Sequence, residues 1–82
     1  MDRRKYTEKE IKSNKNRIKQ FFTKEGVTVE EVAKQVHSRH PLASPNGDNL
    51  SRKLNNGTLK SIEEIEIADA LGYDVIWVKR KG

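Results

Sequence analysis

The residues best suited to chemistry lie close together in the chain: Asn46, Asp48, Asn49, Ser51, Arg52, Lys53 and Lys60. That chemistry is hydrogen bonding rather than bond making. An Asn amide can pair bidentately with adenine and an Arg fork with guanine, while Ser hydroxyls and Lys ammonium groups suit phosphate oxygens. Asp48 is the exception, because a carboxylate repels phosphate, and it reads as a cap or turn former. No residue set carries catalysis. The chain has no glycine-rich phosphate loop and no nucleophile paired with a base, and Glu63, Glu64 and Glu66 fall on a helix surface rather than in a cleft. There is no cysteine, and His37 and His40 lack a carboxylate at zinc-ligand spacing, so neither a metal nor another cofactor is expected.

A short helix over about 48–56 must present these side chains. Asp48 or Asn46 caps it, Leu50 and Leu54 point inward at i, i+4, and Gly57 ends it, which leaves Arg52 and Lys53 on the exposed side. Before it, the stretch 38–47 holds Pro41, Pro45 and an Asn46-Gly47 pair, each unfavourable inside a helix, and reads as a loop. Upstream, Thr28 with Glu31 forms a capping box that opens a helix over 28–37, with Val29, Val32, Ala33 and Val36 along one side. Thr28, Gln35 and Lys60 then stand where they could donate to phosphates.

The flanking segments read as supports. Thr7 with Glu10 caps a first helix over about 8–25, closed by Gly26. Its apolar residues Ile11, Ile18, Phe21 and Phe22 are interrupted by Asn14 and Lys15, so its first turns are expected to project or fray. Ser61 with Glu64 caps a fourth helix, with Ile62, Ile65, Ala68 and Leu71 on one face and Gly72 as terminator. The β-branched and aromatic run Tyr73–Val78 is predicted as a terminal strand. No second strand-like run exists to pair with it, so the same strand of a second copy is the expected partner, with Tyr73, Val75 and Trp77 in a homodimer interface.

Bulk properties set the frame. Eighty-two residues make one domain, 8–82, preceded by a basic arm, 1–7, in which Arg3, Arg4 and Lys5 could reach a DNA minor groove. The net charge of +5 comes from 17 Lys and Arg against 12 Asp and Glu. It is unevenly spread, since residues 61–72 hold four carboxylates and no Lys or Arg. One side facing a polyanion and another turned away would explain that pattern. Without disulfides, a core this small gains from oligomerisation. No apolar run approaches membrane-spanning length and no apolar leader follows Met1, so a cytoplasmic location is expected.

With those elements in place, the residues from about Ile18 to Val78 resemble small helix-turn-helix regulators of the Cro and phage-repressor class, in the compact form found in Gram-positive bacteria and their mobile elements. The most specific stretch is Asn49-Leu50-Ser51-Arg52-Lys53-Leu54-Asn55-Asn56-Gly57-Thr58-Leu59, which looks like the recognition helix. Ile65-Glu66-Ile67-Ala68-Asp69-Ala70-Leu71-Gly72-Tyr73 looks like the helix that follows it, and Val27-Thr28-Val29-Glu30-Glu31-Val32-Ala33 is similar to the first motif helix.

The resemblance implies a mainly α, four- to five-helix Cro/repressor-like domain with a short C-terminal β-strand. It also implies sequence-specific binding of double-stranded DNA and a repressor-like role at a bacterial, phage or mobile-element operon. By the same resemblance Asn46, Asn49 and Arg52 read bases, and Thr28, Ser51, Lys53 and Lys60 hold the backbone. The class usually has a turn glycine four residues after the motif alanine, where this chain has His37. Either the tight turn survives at His37, or helix 2 runs on until Pro41 stops it. Two other functions fit the charge and size: a protein-interaction module such as an antitoxin or adaptor on the same fold, and a basic RNA-binding protein, for which the motif helix lacks an aromatic platform.

Overall fold

Local signals in the sequence place four helices. A computed structural model describes residues 6–80 and contains α1 (Glu8–Glu25), α2 (Val29–Arg39), α3 (Gly47–Asn56) and α4 (Ser61–Leu71). The basic arm Arg3, Arg4 and Lys5 lies outside the described residues.

Thr7 and Thr28 cap α1 and α2 as reciprocal boxes. Each hydroxyl accepts from the amide three residues on, and the Glu there accepts from the Thr amide at 2.9 Å. Helix α4 departs from the expected Ser61 cap. It starts one residue earlier, with Lys60 as N-cap, and Glu63 rather than Glu64 reaches back to accept from the Lys60 amide at 2.9 Å. Gly26, Gly57 and Gly72 end α1, α3 and α4 in the left-handed conformation.

Two of the sequence alternatives are decided between α2 and α3. The helix runs through His37 to Arg39, and no residue other than glycine takes a positive φ among the described residues, so there is no tight turn at His37. Its imidazole instead meets the Ala43 carbonyl, Nδ1 to O 2.7 Å, and pins the connector 40–46. Ala43 packs on the core, so this connector is built into the fold. Asn46 is the cap of α3, its Oδ1 accepting from the Asp48 amide at 2.8 Å.

The core is small: Ile18 and Phe22 from α1, Val32, Ala33 and Val36 from α2, Leu54 from α3 and Ile67 from α4. Apart from Ala33, a fully buried side chain of this kind is worth roughly 1.5–3 kcal/mol, so none of the larger members is dispensable. The first turns of α1 do not project. Ile11 packs where a Cβ on Gly57 would meet its Cγ1 at 2.7 Å, and the Lys15 ammonium donates to Asn55 Oδ1 at 3.1 Å. These contacts hold α1 against the end of α3.

Helix α4 buries a different face from the one its spacing suggested. Ile67 is in the core with Ala70 and Leu71 against it, whereas Ile62 and Ile65 are 58% and 47% exposed. Beyond α4, residues 73–80 have no regular secondary structure, and no strand forms among the described residues. Among the described residues nothing offers the ladder that the 73–78 strand would need. No helix among the described residues is long and apolar enough to cross a membrane.

Candidate functional site

Helix α3 is wedged into the fold by one side. Leu54 is buried, Leu50 packs on the core, and buried Gly47 lies against the α2 backbone, where a Cβ would stand 2.7 Å from Glu30 Cα. Only a residue without a side chain permits that approach, and it brings the first turn of α3 beside the first turn of α2.

The opposite side of α3 faces solvent. Asp48, Arg52 and Asn56 recur at i, i+4 and i+8 and are all exposed, with Asn49 half-buried at the edge of the same face. Arg52 has no ion pair or hydrogen bond among the described residues, so its five donors face outward. Asn56 was not singled out in the sequence, although its i+4 spacing from Arg52 was the available signal. Asp48 sits in the first turn of α3, where a carboxylate complements the helix dipole and disfavours a second anion.

The other expected site residues have mixed settings. Asn46 is exposed, but its carbonyl oxygen is committed to the cap, which leaves the amide group outward. Ser51 is half-buried on the flank that Asn55 shares with α1. Lys53 is half-buried and its ammonium is bound to the Glu63 carboxylate of α4. Thr28 is exposed, with its hydroxyl oxygen accepting from the Glu31 amide, and it lies two residues from the Glu30 contact with α3. Lys60 is exposed and makes no ion pair among the described residues. Arg52, Asn49 and Asn46 therefore share one helix and its cap, whereas Lys53 belongs to the α3–α4 contact.

The expected interface residues are also divided. The Tyr73 ring packs on Phe21, centroids 5.0 Å apart, and its hydroxyl donates to Glu25 Oε2 at 2.6 Å, so it closes the tail onto α1. Val75 and Trp77 stand out of the surface at 48% and 98% exposure.

The acidic segment forms an ionic hub between the helices. Glu63 takes Lys53 of α3, Glu64 takes Arg17 of α1 at 2.9 Å, and Asp69 takes Arg39 of α2 at 2.8 Å. His40 stands between Asp69 and Glu66, at 3.1 and 3.9 Å. Hydrogen bonds from Arg39 and His40 hold the Asp69 carboxyl below its ordinary range. Partial burial pushes Glu63 up, but the Lys53 ammonium and the Lys60 amide outweigh it and bring that carboxyl down as well. Among the described residues no group of three or more His, Cys, Asp or Glu side chains could hold a metal ion.

Comparison with protein-family models, with curated proteins and with solved structures finds no match to this chain.

Proposed function

We propose that the protein binds double-stranded DNA sequence-specifically, as a homodimer, and acts as a repressor-like transcriptional regulator. The observation that carries this reading is the exposed face of α3: Arg52 unpaired at its centre, with Asn49 and Asn56 beside it, on a helix whose other side is locked into the core. A rigid helix with outward donors fits the roughly 12 Å width of the major groove. Arg52 and Asn49 would read base edges with the Asn46 amide, and Thr28, Ser51 and Lys60 would hold the backbone. Two copies would set two such helices about 34 Å apart, one turn of DNA.

The test is selection of bound sequences from a random duplex pool, with a salt titration of the winner and Arg52→Ala in parallel. Enrichment of a roughly palindromic motif is expected, and Arg52→Ala should cost about 1–3 kcal/mol of affinity and relax specificity at one position without changing the helical content. No enrichment, with all binding removed by salt, would leave only nonspecific attraction and sink the proposal.

A second reading, a protein-interaction module on the same fold, is favoured by the exposure of Val75, Ile76, Trp77 and Val78. An exposed apolar group of this kind suits a protein partner better than a nucleic acid. Failure to enrich any duplex would move the function there.

A further inference from the structure

Helix α4 carries more apolar side chains than one buried face can use. Ile62 and Ile65 remain on its outer side, and the tail runs back past them, since Tyr73, Val75, Ile76 and Trp77 line one groove together with both isoleucines. With Val78, 79% exposed, and leaving out Tyr73, which is packed on Phe21, this makes six large apolar side chains left uncovered on neighbouring surface. Scattered exposure needs no explanation, but a contiguous patch on a chain this small does.

The chemistry around the groove identifies the occupant. Among the described residues its charged lining is acidic, Glu66, Asp69 and Asp74, with His40 and no Lys or Arg. Asp69 is answered by Arg39 and His40, Glu66 has only His40 at 3.9 Å, and Asp74 makes no ion pair among the described residues. The tail supplies the complement: Val75-Ile76-Trp77-Val78 followed by Lys79-Arg80, both cations exposed and without a carboxylate partner among the described residues. Val75, Ile76 and Trp77 already form one wall of the groove in their own chain and cannot also fill it. Lengths agree too, because six extended residues reach about 20 Å and eleven helical ones about 16 Å.

We infer that the groove between α4 and the tail takes residues Val75–Arg80 of a second copy of this chain, reciprocally about a two-fold axis. Trp77 of each copy packs on Ile62 and Ile65 of the other, and Lys79 and Arg80 come to the carboxylates of Glu66 and Asp74. Such an isologous contact closes at two copies. The inference rests on the two-copy part of the reading above and not on DNA binding. It places the tail on a helix, so a strand ladder between tails is not required.

Trp77 is the only tryptophan, so its fluorescence reports the contact directly. Sedimentation equilibrium of the full chain is expected to give a dimer, with tryptophan emission shifted to the blue and protected from iodide, both lost together on dilution. Ile65→Lys, at a half-exposed position, should keep the circular dichroism of the wild type and weaken the dimer at least tenfold. Glu66→Lys with Asp74→Lys should weaken it similarly, and adding Lys79→Glu with Arg80→Glu to that chain should restore it. A monomer at every concentration with quenchable Trp77 overturns the inference. So does a dimer in which Trp77 stays quenchable and Ile65→Lys has no effect, the result expected of strand pairing alone. A monomer that still enriches a duplex motif would remove the second copy and leave the DNA reading standing.

Discussion

Thr28, Asp69 and Tyr73 each owe their setting to named polar partners, and the sign of each interaction fixes how the fold responds to pH. Hydrogen bonds from Thr28 lower the Glu31 carboxyl, and those from Arg39 and His40 lower Asp69. A carboxyl depressed in the folded chain contributes stability above its unfolded value, near 4, and that contribution disappears as pH falls through the folded value. Tyr73 works in the opposite direction. Its donation to Glu25 raises the hydroxyl, so the benefit is complete below about 10 and is lost as pH climbs through the raised value. Urea midpoints measured across pH should therefore lie on a plateau near neutrality, falling below about 4 and again above about 10. Asp69→Asn should flatten the acid limb, and an unchanged limb would show that Asp69 contributes nothing to it. Thr28→Ala removes the cap together with the hydroxyl's bond to Glu31 and should cost about 1 kcal/mol at neutral pH.

The helices were legible in the sequence because their ends are written locally. The boxes at Thr7 and Thr28 and the glycines at 26, 57 and 72 act within one turn, so spacing alone finds them. Which face each helix buries is a tertiary question, and there the reading of α4 failed. Its apolar residues at 62, 65, 67, 68, 70 and 71 permit more than one inward face, and α1 and α2 select the one holding Ile67. Lys53 shows the same limit at the candidate site, since only the fold brings Glu63 to it. Gly47 was read as part of a loop signal, yet its role is the contact of α3 with α2. Gly47→Ala would put a methyl 2.7 Å from Glu30 Cα, a backbone atom that cannot step aside. The two helices must then separate, which should lower stability by about 1–3 kcal/mol in urea unfolding. Gly26→Ala is the control, because nothing lies within 4 Å of its added Cβ and only the left-handed backbone resists, at about 1–2 kcal/mol. Equal losses for the two would mean that the α2–α3 contact is looser than its geometry implies.

For the molecule as a whole, the net charge of +5 matters less than which cations are already engaged. Arg17, Arg39 and Lys53 are committed to the carboxylates of α4 and bind the helices to one another. Arg52 and Lys60 are exposed and have no ion-pair partner among the described residues. A polyanion lying on the exposed face of α3 would meet those two, and each phosphate they neutralise releases condensed counterions, so affinity should fall with salt in proportion to the number of cations engaged. This separates two lysines that look alike in the sequence. On a selected duplex, Lys60→Ala should reduce the slope of log affinity against log salt by about one and move the unfolding midpoint far less than loss of the Lys53–Glu63 pair does. Lys53→Met should do the reverse: it strands the half-buried Glu63 carboxylate and lowers the unfolding midpoint, while the slope stays where it was. If Lys53→Met instead shallows the slope as much as Lys60→Ala, then DNA draws Lys53 away from Glu63. Binding would in that case loosen the α3–α4 contact at a cost already contained in the measured affinity, so the bound form should gain the stability which that affinity requires and no less.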